Sequence, residues 1–212
     1  REHDPMGGHD PYSDSKGCSE LVTAAYRQSF FGPGHTHTAA SASARAGNVI
    51  GGGDWSPDRI VPDAMRAFAS GNPLHLRHPG ALRPWQHVLD PLAGYLRLAE
   101  MGISDPGRCA QGWNFGPADH MTLSVGTMIS GFAETLGPEF QWSSQPDNSL
   151  HEANLLKLDC SAARQLLGWQ PMLDAGDMTA WTADWYQGQT PEQRNATTAQ
   201  QISEYRRRLA AA

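Results

Sequence analysis

The sequence predicts an α/β protein, and three observations predict it. Stretches with helical apolar spacing alternate with short apolar runs of strand length. Gly (22) and Pro (15) punctuate the chain too often for a helical bundle. With 212 residues, 39% of them hydrophobic, the chain can build one sizeable core or two small ones.

The elements follow in order. Residues 1–11 read as loop, with Pro5, Gly7, Gly8 and Pro11. The spacing predicts a helix over 13–31, capped by Ser13 or Asp14, with Leu21, Val22, Ala25 and Tyr26 as its apolar stripe. Gly32-Pro33-Gly34 ends it. Residues 38–47 are small and apolar, as in a buried strand. Gly51-Gly52-Gly53-Asp54-Trp55 forms a loop, and a helix follows over 60–70, starting near Pro62. Strands are expected at 74–77 and 113–115, and helices at 88–101, 122–136, 161–167, 176–187 and 191–209.

Composition excludes several classes. A formal net charge of −6 argues against non-specific nucleic-acid binding, which needs a positive surface. Cys18, Cys109 and Cys160 are too few and too far apart for a disulfide framework or a Cys-x-x-Cys metal site, so a reduced, cytoplasmic setting is expected. No run is apolar enough to span a membrane, so no membrane partner is expected. Arg1-Glu2-His3-Asp4-Pro5 lacks the apolar core of a signal peptide and an initiator Met, and does not read as a natural start. His35 and His37 sit in a Gly/Thr loop without carboxylate ligands, which favours a solvated loop over a metal site. Trp85, Trp113 and Trp169 are expected in the core rather than on a base-stacking platform.

The chemistry starts at Tyr12-Ser13-Asp14-Ser15-Lys16. Residues four apart lie on one face of a helix. A phenol is a poor base at neutral pH, but a nearby ammonium favours its anion by Coulomb attraction. The pair therefore suits removal of a proton from a hydroxyl that is being oxidised. An isolated match could equally be a helix-start tyrosine beside a solvated lysine. The chain has only two lysines, Lys16 and Lys157, which makes the spacing less easily coincidental.

Tyr12-x-x-x-Lys16, followed by Arg45-Ala46-Gly47-Asn48-Val49-Ile50-Gly51, resembles the extended short-chain dehydrogenase/reductase family. Within it, five stretches resemble the CDP-glucose 4,6-dehydratase family. They are Gly7 to Tyr12, Ala44 to Trp55, Arg83 to Leu89, Trp113 to Pro117, and His151-Glu152-Ala153 leading to Ser161. They stay in order and cover almost the whole chain.

The resemblance implies a Rossmann-like NAD-binding domain, of which the N-terminal half is missing, and a smaller α/β substrate-binding domain. Residues 1–50 would be the end of the first, with helix 88–101 packing on it, and 51–212 would be mainly the second. It implies oxidation of C4 of CDP-glucose with tightly bound NAD, loss of water across C5–C6, and hydride return to C6. Tyr12 would take the C4 hydroxyl proton, and Lys16 would assist it and hold the nicotinamide ribose, beside which Val49 would sit. Asn48, Arg59, Ile60, Arg83, Asn114 and His151 would face the sugar or diphosphate. Leu74, His75 and Leu76 would lie along the base or ribose. The resemblance implies dimerisation through the helix that carries Tyr12 and Lys16 and its neighbour. Its Gly-rich phosphate turn and further catalytic groups would lie upstream of Tyr12, and no G-x-G-x-x-G is present. The chain alone is therefore expected to be inactive and poorly soluble.

Taken residue by residue, plainer roles stay open. Asn48 could be a turn former, Arg59 and Arg83 surface charges, and Asn114 a strand-end partner. Another nucleotide-sugar epimerase or reductase of the same superfamily, or a fragment that only binds the nucleotide sugar, would carry the same dyad.

Overall fold

In the computed structural model, residues 1–8, 10–32, 34, 39–118, 121–144 and 156–212 are described. They divide into two compact units. The first comprises residues 1–46, 91–116 and 158–170; the second comprises 47–90, 117–157 and 171–212.

In the first unit, helix α1 runs Pro11–Phe30. Its cap is Asp10, whose carboxylate accepts from the Ser13 amide at 3.0 Å. The helix thus starts two residues before the expected position, because Pro11 fits the first helical position, where no amide is needed. Strand β1 (Ser43–Ala46) is shorter than the run that predicted it, and Gly47 separates it from β2 (Asn48–Ile50). β1 pairs in parallel with β6 (Gly112–Phe115), from Ser43 opposite Gly112 to Ala46 opposite Phe115.

Trp113, Phe115, Leu98, Cys109, Cys160, Leu167 and Trp169 form this unit's core. Each large apolar side chain buried there stabilises by about 1.5–3 kcal/mol. Phe115 meets Tyr95 and Trp169 edge-on, at 5.4 and 5.0 Å between ring centroids. Gly94, in helix α3 (Leu89–Ser104), lies flat on the Phe115 ring, where any Cβ would collide. The short helix α4 (Pro106–Cys109) precedes β6, and the Trp113 indole donates to the Cys109 carbonyl at 3.0 Å. The expected short helix at 161–167 is wound as a π-helix over Ala163–Leu167. Cys109 and Cys160 are buried and Cys18 is exposed. Burial pushes the Cys160 thiol up to about 11 and raises that of Cys109.

The second unit contains helices α2 (Ile60–Ala69), α5 (Val125–Leu136), α6 (Ala175–Gln187) and α7 (Pro191–Ala211). Its strands are β2, β3 (Leu74–Leu76), β4 (Leu82–Arg83), β5 (Trp85–His87), β7 (Leu123–Ser124) and β8 (Trp142–Ser144). β2 runs parallel to β5 and β3 parallel to β8, while β4 and β7 pair antiparallel. The core gathers Val61, Met65, Leu74, Leu76, Trp85, Met128, Ile129, Phe132 and Met178. Trp85, Trp113 and Trp169 are thus core residues, as expected. Among the described residues, no helix is long and apolar enough to cross a membrane.

Candidate functional site

Tyr12 and Lys16 occupy the first turns of α1 and project from one face. The Lys16 ammonium lies 5.3 Å from the centre of the Tyr12 ring. The phenol is 64% exposed, so it is open to a ligand. Ahead of it, the Gly7-Gly8 turn folds back on the helix start, with the Gly8 amide donating to Asp14 at 2.9 Å.

α1 buries none of its residues. Polar contacts hold it to β1 instead. Glu20, one further turn along from Lys16, accepts from Arg45 Nη2 and from the Ser43 hydroxyl, each at 2.7 Å. The Arg45 guanidinium, with help from Ser43, holds the Glu20 carboxyl below its usual range. Arg45 also donates to the Glu2 carbonyl at 3.1 Å.

Asn114 lies in β6 and is 2% exposed. Its side chain donates to the Asp159 carbonyl at 3.2 Å, and its backbone amide donates to the Glu2 carboxylate at 3.1 Å. One of its amide hydrogens is therefore already committed to a structural bond.

In the second unit, β2 displays Asn48 and Val49 while Ile50 turns into the core. The Asn48 amide donates to the Pro84 carbonyl at 3.1 Å, so β2 lies directly against the strand that follows Arg83. Arg83 is only 8% exposed, which contradicts the plain reading of a surface charge. Its Nη1 donates to the Leu82 carbonyl at 3.0 Å, and it has further contacts. A buried guanidinium is costly unless oxygens meet it, and the Leu82 carbonyl is one such partner.

Arg59 is exposed and caps α2 by its backbone alone, so its side chain is not consumed by the helix. The residue before it, Asp58, has φ 59, a strained setting for a side-chain-bearing residue that aims the chain into α2. Ile60 is half-buried against the core. Leu74 and Leu76 point into that core, which leaves backbone groups and the exposed His75 as the outward features of β3. The His75 ring makes a 2.9 Å hydrogen bond with the Ser143 hydroxyl. His151, and His35 and His37 of the loop judged non-metal, lie outside the described residues. Among the described residues, no three His, Cys, Asp or Glu side chains converge as a metal site.

A buried polar cluster next to this region escaped the sequence reading. His87 is 2% exposed and meets Trp181 edge-on at 5.8 Å. Burial pushes its imidazole down to about 4. Asp90, equally buried, accepts from the Tyr205 hydroxyl at 2.9 Å and the Met172 amide at 2.8 Å. Burial nevertheless pushes its carboxyl up to about 6. The partners lie as far as 115 positions apart, and no local periodicity encodes such a pairing.

No protein-family model matches the chain. Solved structures do. A dTDP-glucose 4,6-dehydratase from Bacillus anthracis, in complex with NAD, superposes with a TM-score of 0.71 at 17% identity, covering 93% of this chain and 58% of its own. The epimerase Mth375 from Methanothermobacter thermautotrophicus superposes with a TM-score of 0.73 at 20% identity, covering 92% of this chain and 55% of its own. The fold is thus the Rossmann type shared by sugar-nucleotide dehydratases and epimerases, over the C-terminal part of those chains. In sequence, the chain is 43% identical to a CDP-glucose 4,6-dehydratase from Salmonella typhimurium over 211 residues, covering 97% of this chain and 58% of that protein. The chain is therefore a relative of the CDP-glucose 4,6-dehydratases that spans somewhat over half the length of the relatives it matches.

Proposed function

We propose that this chain is the substrate-side part of a cytoplasmic NAD-dependent dehydratase that converts CDP-glucose into CDP-4-dehydro-6-deoxyglucose. The observation that carries the proposal is the Tyr12–Lys16 pair, with the ammonium 5.3 Å from the phenol ring and the phenol open to a ligand. The 43% identity to a CDP-glucose 4,6-dehydratase supports this substrate class.

In this reading the phenolate of Tyr12 accepts the proton of the C4 hydroxyl as that carbon is oxidised. Lys16 sets its charge beside the Tyr12 ring and would hold the nicotinamide ribose through its ammonium hydrogens. Bound NAD would supply the hydride chemistry, removal from C4 and return at C6, with Lys16 on its ribose. Between the two transfers, the C4 ketone acidifies C5–H, loss of that proton and the C6 hydroxyl releases water, and C5 is reprotonated as C6 gains hydride. An exposed phenol and ammonium on one helical face suit the ribose end of such a cofactor, and Val49, exposed on β2, is the apolar residue proposed for its nicotinamide.

Arg83 and Arg59 would meet the diphosphate with planar, bidentate donors. Asn48 and Asn114 would orient the sugar, with Ile60 beside it, and the β3 backbone, His75 and His151 would line the nucleoside. The complete polypeptide is proposed to act as a homodimer.

The test incubates the complete polypeptide containing this chain with CDP-glucose and NAD. Alkali-induced ultraviolet absorbance of a 4-keto sugar is expected, with no turnover by residues 1–212 alone. Absence of that signal from the complete enzyme overturns the proposal, and equal turnover of dTDP-glucose overturns its CDP part.

A further inference from the structure

The loop Gly51–Trp55 joins Asn48 and Val49 to the turn that leads into Arg59. A loop with three consecutive glycines loses more conformational freedom on ordering than an ordinary loop of its length. Left to itself it would not hold the residues at its two ends in register. The C-terminal helices close over it.

The Gly52 backbone lies flat on the Trp185 indole, and a Cβ there would drive into the ring. Trp185 is fixed in turn by its indole N–H, which donates to the Thr198 hydroxyl of α7 at 2.9 Å. The Tyr186 hydroxyl donates to the Asp54 carbonyl. Trp55 meets the Tyr186 ring edge-on at 5.0 Å. Arg194 of α7 places its guanidinium 5.7 Å from the Trp55 ring and 5.5 Å from the Trp185 ring, bridging loop and helix by cation–π attraction.

We propose that Trp185, Tyr186 and Arg194 form a clamp that orders the glycine loop, and that they act as positioning residues for the nucleotide-sugar pocket. Their contacts fall on Gly52, Asp54 and Trp55, and they act by fixing the backbone that joins Asn48–Val49 to Arg59. The pocket half of this inference rests on the function proposed above, whereas the clamp half does not.

The test compares Trp185→Ala, Trp185→Phe and Gly52→Ala with the unaltered complete polypeptide. Amide exchange is followed by mass spectrometry in the peptide spanning 50–58 and in the core peptide spanning 126–134, alongside calorimetric binding of CDP. Trp185→Ala and Gly52→Ala are expected to speed loop exchange at least tenfold, leave core exchange unchanged, and weaken CDP about tenfold. Trp185→Phe, which keeps a ring under Gly52, is expected to restore most of both. Loop exchange that does not change, or that rises only together with core exchange, overturns the clamp. A loosened loop with unchanged CDP affinity overturns its positioning role. If the unaltered protein binds no CDP, the nucleotide reading falls, while the exchange data still decide whether the clamp exists.

Discussion

At the scale of single residues, three side chains make sharp predictions. Tyr12→Phe keeps the ring that Lys16 sits over and removes only the transferable proton. Turnover of the complete enzyme should fall by about 10²–10⁴-fold, the usual worth of a positioned acid or base, with CDP affinity unchanged. Steady-state rates together with calorimetry check it. Arg83→Lys replaces a planar fork by a point charge at a buried site, so it is not conservative. CDP affinity should weaken by roughly tenfold or more, about the worth of one charge-assisted hydrogen bond.

His87 and Asp90 should show themselves in opposite directions. A carboxyl raised to about 6 contributes its stability below the ordinary 3.8 and loses it as pH rises through about 6. An imidazole lowered to about 4 contributes its stability above the ordinary 6.5 and loses it as pH falls through about 4. Each effect is on the order of 3 kcal/mol, and their windows overlap, so they largely offset in the native protein. His87→Gln should therefore become more stable relative to native as pH falls from 6.5 to 4.5, and Asp90→Asn less stable. Urea unfolding across that range checks this, and slopes of the same sign would count against it.

At the scale of elements, α1 is the unusual case. It presents Tyr12 and Lys16 but contributes no buried residue to its unit, so Glu20 and its bonds to Arg45 and Ser43 hold it in register. Glu20→Ala should remove roughly 1–3 kcal/mol from the docking of α1, read as faster amide exchange in residues 11–30 with little change in β6.

The helices were largely legible in the sequence, because apolar spacing and caps are local. Gly137 follows α5, and Pro191 opens α7, as their sequence positions suggest. The two-residue strands β4 and β7 were not legible, since no periodicity exists over two residues. The Tyr12–Lys16 pair could be read from spacing alone. The burial of Arg83 could not, because it depends on a pairing with β7 some forty residues away. Neither could Asp90 with Tyr205, nor Trp185 beneath Gly52, since these join segments brought together only by the fold.

At the scale of the whole molecule, charge and apolar exposure pull apart. The net charge of −6 favours dispersion in water. Yet α1 leaves Leu21, Val22, Tyr26 and Phe30 exposed, and α3 leaves Leu96 and Ile103 exposed. Residues 1–212 alone should therefore self-associate as concentration rises, visible as an increasing scattering mass. A constant monomer mass would show that these faces need no cover.

The thiols offer a practical consequence. Cys109 and Cys160 are shut inside their unit and resist deprotonation, while Cys18 stands open on α1, two positions past Lys16. A maleimide should thus attach at one place only. That gives a spin label or fluorophore a native anchor beside the pair proposed as catalytic, able to report a dinucleotide's arrival without altering any other side chain.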